Sequence, residues 1–198
     1  MGLRRSEMVR VGRPGFTEGG FGRRTCWAGT RHDVEGVGGV IDGPYFVLTV
    51  VGLVGAGLVA GVFCAFSTFV MQALAALPPA QGVAAMKAIN VTAVRPAFMV
   101  VFLGSTLLCA VISVVTFVLW PEQGAVELLV GSALYLFGCF GVTVLANVPR
   151  NNALVRVEAG TAEASAYWPT YVRGWTAWNH VRTVAAAGAV VAYVLALV

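Results

Sequence analysis

The chain has 198 residues, of which 58% are hydrophobic and only 11% are charged, against about 25% charged in ordinary soluble domains. Its formal net charge is +4, and seven of its thirteen basic residues precede position 32. This balance argues against a soluble globular enzyme, a disordered chain or a nucleic-acid binder.

Residues 1–43 are rich in Gly and Arg and have no hydrophobic period, which predicts a disordered basic tail. No apolar run follows Arg4 and Arg5 closely enough for a cleaved signal. The remainder, 44–198, reads as one domain. It has no charged side chain between Asp42 and Lys87, between Arg95 and Glu122, between Glu127 and Arg150, or after Arg182. A bilayer core takes about 20 apolar residues of helix, so membrane helices are expected at 45–71, 96–119, 128–147 and 175–198. The last start is set by length. Residues 183–198 rise only about 24 Å, short of a core of about 30 Å, so this helix must begin upstream, near Trp175. The expected fold is all-α, an integral membrane antiparallel four-helix bundle. Its partner is the lipid bilayer and its location the cell membrane, crossed several times. The sequence gives no oligomeric state.

Between these helices, Pro78–Pro79 followed by 81–90 predicts a short helix in the membrane interface. Residues 120–127 predict a tight hairpin, and 148–174 a longer third loop. Lys87, Arg95, Arg150, Arg156, Arg173 and Arg182 all lie by the first and third connections, which places these in the cytoplasm. Gly57 with Gly61, the series Gly52, Ala56, Ala60 and Cys64, and Gly131, Gly138 and Gly141 predict close helix contacts. The four cysteines are far apart and read as small core residues.

Antiparallel order brings the end of the first helix, the start of the second, the end of the third and the start of the fourth to one membrane face. Ser67, Thr68, Gln72, Asn90, Arg95, Asn147, Arg150, Asn151, Asn152 and the run Trp175 to Thr183 all fall there. Polar groups at membrane depth are costly unless paired, so their concentration marks a candidate site. Each also has a plain structural reading. Pro149 ends a helix after Asn147, the Trp and Tyr residues form an interfacial belt, and Arg182 snorkels. Trp168, Tyr171, Trp175, Trp178 and Arg182 form one helical stripe, and His180 lies about 140° around the helix from Trp175. Either the stripe or His180 faces the bundle. An inward His180 is expected, because a titratable ring facing lipid has no partner.

The histidines are His32 and His180, and no Asp or Glu lies within a span. Neither a metal site nor a nucleotide motif is therefore expected, and no cofactor is assigned. No carboxylate is placed to orient His180 in a Ser-His-Asp arrangement. One imidazole, arginines, amides and aromatic surfaces allow proton abstraction with oxyanion stabilisation.

The stretches Gly61-Val62-Phe63 through Phe69-Val70-Met71, Ala85-Met86 to Asn90, Pro96-Ala97-Phe98, Asn147-Val148-Pro149 with Asn151, and Trp175 through Trp178-Asn179-His180-Val181-Arg182-Thr183 resemble the anthrone oxygenase-like family of small membrane proteins. The resemblance covers about residues 45–195, with Arg150 where an apolar residue is expected. It implies a four-helix membrane protein. Fungal members include enzymes that oxidise anthrones to anthraquinones with molecular oxygen and no recognised cofactor. On this resemblance His180 is expected to take a proton from an anthrone-like CH₂. Arg182 and Asn179, with Asn147 or Asn151, would stabilise the enolate, and Trp175 or Trp178 would stack on a hydrophobic aromatic small molecule. Asn90 completes the expected binding set. The alternative is a non-catalytic bundle that binds a lipid, a quinone or a partner helix, its polar residues pairing the helices with one another.

Overall fold

A computed structural model describes residues 43–198. The tail expected over 1–43, with Cys26 and His32, lies up to residue 42 outside the described residues. Five helices follow in order: α1 Gly43–Ala75, α2 Pro79–Ala93, α3 Pro96–Leu119, α4 Ala125–Arg156 and α5 Ala162–Leu197. All but α2 are long and apolar enough to cross a membrane. Their outward faces carry Val100, Leu107, Phe117, Phe137, Leu145 and Val184, each well exposed. Lipid is the solvent that such a surface requires. Helices suit it because every backbone bond closes within the segment.

Local chemistry sets the helix ends. Pro79 and Pro96 occupy the first turns of α2 and α3, where the missing N–H costs no helical bond. Trp120 closes α3 in the left-handed conformation, φ 39°. Gly124, φ 75°, opens α4, and a Cβ there would meet the Ala196 carbonyl oxygen at 2.9 Å. The Thr161 hydroxyl accepts the Ala164 N–H at 3.1 Å and caps α5.

Two expectations change. Pro149 does not end the third span, because α4 runs on to Arg156. The turn before it, Thr143–Asn147, is π-helical, which loosens the bonding ladder where a proline removes a donor. Arg150 Nη1 also donates to the Ala146 carbonyl there at 2.7 Å. The fourth helix begins at Ala162, not near Trp175, so only residues 157–161 remain of the long third loop.

α5 is the central helix, packed on α1, α4 and α2. Along α1, Tyr45 bonds Thr116, a Cβ on Gly52 would strike Ile112, and Phe63 meets Phe98 and Phe102. Partner numbers on α3 thus fall as those on α1 rise. The same inversion relates α4 to α5, through Gly131 with Tyr193, Gly138 with Ala185 and Asn147 with Trp175. Close approach falls at Gly52, Gly55, Gly131 and Gly138. Gly61 instead faces open space, and Gly141 meets only its own helix.

Candidate functional site

The stripe on α5 repeats every three or four residues, and the structure turns it inward. Trp168, Tyr171, Trp175, Asn179 and Arg182 are all buried. His180, expected inside, is exposed on the opposite side of the helix. That phase satisfies more groups: three ring systems, an amide and a guanidinium pack within the bundle, whereas the His180 ring is left on the outer face. Trp178 is also turned out, 40% exposed, with the Arg150 guanidinium 5.9 Å from its ring centre.

Arg182 is the centre of the buried group. It is 4% exposed. Nη2 donates to Asn179 Oδ1 at 2.6 Å and Nη1 to Thr143 Oγ1 at 3.3 Å. Its Cζ lies 4.1 Å from the Phe63 ring centre and 5.0 Å from that of Trp175, within cation–π range. Among the described residues no Asp or Glu pairs with it; Glu122, Glu127, Glu158 and Glu163 lie elsewhere. Its Nε is buried without a partner.

Asn179 joins Arg182 to α1. Its Nδ2 donates to the Phe63 carbonyl and to Ser67 Oγ, both at 2.7 Å, and Ser67 Oγ lies 3.0 Å from Thr183 Oγ1. Phe66–Val70 forms a π-turn, and Thr143 and Asn147 lie on another. Such turns widen the helix and redirect side chains, often where function requires it.

Asn147, 1% exposed, donates through Nδ2 to the Trp175 carbonyl at 3.2 Å. Its Oδ1 is buried without a partner. One turn further along, Asn151 Oδ1 accepts both Tyr171 Oη–H at 2.9 Å and Trp175 Nε1–H at 2.8 Å. Asn90 lies half-buried on α2, its Nδ2 unpartnered. α2 covers this end. A Cβ on Gly82 would come within 2.7 Å of the Trp168 ring, and Lys87 Nζ donates to the Val155 carbonyl at 3.1 Å.

The structure therefore brings Arg182, Asn179, Asn147, Asn151 and Trp175 together and leaves His180 and Trp178 outside. Sequence reasoning missed Thr143 and a wall of rings formed by Phe63, Phe98, Phe102 and Phe140. Centroids of neighbouring rings in this wall are 5.7–6.3 Å apart. Four-residue spacing of Thr143 with Asn147, and of Phe98 with Phe102, is the signal that could have found them. Among the described residues no three His, Cys, Asp or Glu side chains gather as metal ligands. The surface grooves beside Trp120 and Glu122, and beside Arg156 and Glu163, do not reach Arg182.

The anthrone oxygenase family model matches residues 98–192, a stretch that includes Asn147, Asn151, Trp175, Asn179 and Arg182 but not Ser67 or Asn90. No curated protein and no solved structure gives a significant match. The matched segment, with four apolar helices of membrane-spanning length, supports an anthrone oxygenase-like family for this chain.

Proposed function

We propose that this protein is a cell-membrane oxygenase acting on a planar, anthrone-like polycyclic phenol, with Arg182 as the group that holds the substrate's enolate oxygen. The observation that carries this is a guanidinium almost wholly buried among aromatic rings, with no carboxylate partner among the described residues and with Nε unpartnered. A buried cation without a counter-ion is costly and favours an anionic ligand. Stabilising the enolate lowers the barrier to losing a CH₂ proton, the kind of differential binding that accelerates a reaction.

The step balances without a further redox partner. A C–H bond breaks and its proton leaves to water. The electron-rich carbon bonds molecular oxygen, and the peroxide takes up a proton. The second C–H and the O–O bond then break, releasing water and leaving a quinone carbonyl. One anthrone and one O₂ give one anthraquinone and one H₂O. In this scheme Arg182 holds the oxyanion, Asn179 positions the guanidinium through its Oδ1, Trp175 and the phenylalanine wall contact the ring faces, and exposed His180 has no part.

Isolated membranes supplied with 1,8-dihydroxyanthrone should take up oxygen and form the quinone in equal amounts. Arg182→Met should lower the rate by about 100-fold, the usual scale for losing an oxyanion donor. Quinone formation no faster than in membranes lacking the protein, or an Arg182→Met variant as fast as the parent, would overturn the proposal. A second reading, a non-catalytic bundle, has one observation in its favour. The bonds of Asn179 and Arg182 already join α1, α4 and α5. On that reading the same substitution changes folded yield alone.

A further inference from the structure

The rings around Arg182 differ in chemistry on its two sides. Toward α3 the guanidinium faces Phe63, which packs on Phe98 and Phe102. Toward the start of α5 the rings are tryptophan and tyrosine instead. The Trp175 ring centre lies 5.0 Å from Arg182 Cζ. Trp175 Nε1–H and Tyr171 Oη–H donate to the same atom, Asn151 Oδ1, at 2.8 and 2.9 Å. The Tyr171 ring centre lies 5.6 Å from that of Trp168 and 6.2 Å from that of Tyr167, the spacing of rings in contact. Trp168, Tyr171 and Trp175 are each at most 5% exposed. Tyr167 is half-buried and lines a surface groove with Arg156 and Glu163. Rings of an interfacial belt stand at the membrane surface; this file runs inside the protein, from the candidate site to the groove.

We infer that Trp175, Tyr171 and Tyr167 form a radical-transfer path, which carries one-electron oxidising equivalents from the substrate to the protein surface. The inference rests on oxygen chemistry beside Arg182 for its oxidant. A closed-shell enolate and triplet O₂ react by single-electron steps. When the radical pair so formed separates, the substrate carbon radical adds O₂ and becomes a peroxyl radical. That radical takes one electron from Trp175 and one proton from water, and becomes a hydroperoxide. Tyr171 refills Trp175, and Tyr167 refills Tyr171. Tyr167 gives up its phenolic proton, and a water-soluble thiol returns one electron and one proton to it. The net change is one peroxyl radical and one thiol to one hydroperoxide and one thiyl radical, and two thiyl radicals couple to a disulfide.

The direction of the path follows from the residues. A phenylalanine ring is far harder to oxidise than a phenol or an indole, so the Phe63 side does not accept the radical. Tyr135 and Tyr193 are oxidisable, but both are fully buried, with hydroxyls bonded to the Phe102 carbonyl and to Cys109 Sγ. Their protons have no exit to water. Glu163 precedes Tyr167 by four residues, on the same helix face, and its carboxylate in the shared groove can take the phenolic proton.

The test separates the path from the chemistry that feeds it. Detergent-solubilised protein, free of thiol, is oxidised in two ways with a nitroso spin trap present. One arm uses 1,8-dihydroxyanthrone in air. The other uses photoexcited anthraquinone under anaerobic conditions, an apolar one-electron oxidant that needs no O₂. Mass spectrometry locates the trapped residues. In the parent protein the adduct should form at Tyr167 in both arms. Tyr171→Phe keeps the ring, and Trp175 Nε1 still serves Asn151, but the ring no longer passes an electron. The Tyr167 adduct should be lost and oxidised Trp175 should accumulate. Tyr167→Phe changes only the surface end. It should move the damage to Tyr171 and Trp175, with the initial rate of quinone formation unchanged and fewer turnovers before inactivation.

A Tyr167 adduct undiminished in Tyr171→Phe would mean direct attack at the surface and would overturn the inference. So would a parent protein labelled elsewhere, or a Tyr167→Phe variant as durable in turnover as the parent. The two proposals fail separately. Light-driven labelling that depends on Tyr171, without quinone formation, keeps the path and removes the oxygenase. Quinone formation with Tyr167 unlabelled in both arms does the reverse.

Discussion

The two ends of this bundle solve opposite problems. Toward the start of α1 and the end of α5, helices approach through Gly52, Gly131 and the alanines of α5, and Tyr193 fills the space between them. Its few polar groups bond locally: Tyr193 Oη lies 2.8 Å from Ser132 Oγ and donates to Cys109 Sγ at 3.2 Å. At the other end the backbone departs from α-helix in α1 and α4, a guanidinium is buried with no carboxylate partner among the described residues, and polar atoms remain unpaired. One end is shaped by packing, which drives helix association in lipid. The other keeps arrangements that packing alone would not select, and such arrangements cluster at functional sites.

That contrast can be broken or sharpened by substitution. The largest effect is expected at Arg182. Arg182→Met should remove about 100-fold of quinone formation yet leave thermal stability unchanged or raised, because replacing a buried charge with an apolar chain of similar volume is often neutral or better. A large loss in melting temperature would move Arg182 to the packing side of the comparison. Gly131→Val should do the opposite. A Cβ alone would sit 2.9 Å from the Tyr193 ring and 3.2 Å from the Ala189 carbonyl, so a cost of about 1–3 kcal/mol is expected. Denaturation in detergent would measure it, with specific activity of the surviving protein retained.

Asn179→Leu lies between these cases. It removes the donors to Phe63 and Ser67 and the acceptor for Arg182. Both stability, by about 1–3 kcal/mol, and activity should fall; loss of only one would separate the two ends more sharply than the geometry suggests. His180→Ala should have the smallest effect, within about twofold in rate, because truncating an exposed side chain removes little. A loss of more than tenfold would return His180 to the chemistry.

The four spans were legible because lipid forbids charge, and charge-free stretches survive any detail of packing. The start of α5 was not. Tyr167, Trp168, Pro169 and Arg173 mix apolar, breaking and charged signals within the same few turns, while the cap at Thr161 is a single residue. Pro149 was misread as a stop because a π-turn has no sequence signature, and that turn lets the helix continue. Four members of the expected stripe on α5 share the buried face, Asn179 stands there in place of Trp178, and the face itself turns opposite to the expectation. Angular arithmetic along one helix gives relative phase only. The absolute phase is set by partners on α1 and α4, among them the Phe63 carbonyl and Thr143, which the sequence of α5 does not contain.

The π-turn at Phe66–Val70 also bears on how α1 tolerates change in length. A π-turn holds one residue more than the regular helix needs. Deleting a single residue there would restore ordinary α-helix and leave Met71–Ala75 close to its present phase relative to the glycine-packed segment that precedes it. The same deletion in the regular stretch Gly52–Phe63 would rotate all that follows by about 100° and misalign it with its neighbours. The turn therefore acts as slack in the helix, where a change of one residue is absorbed while the packing on both sides is kept.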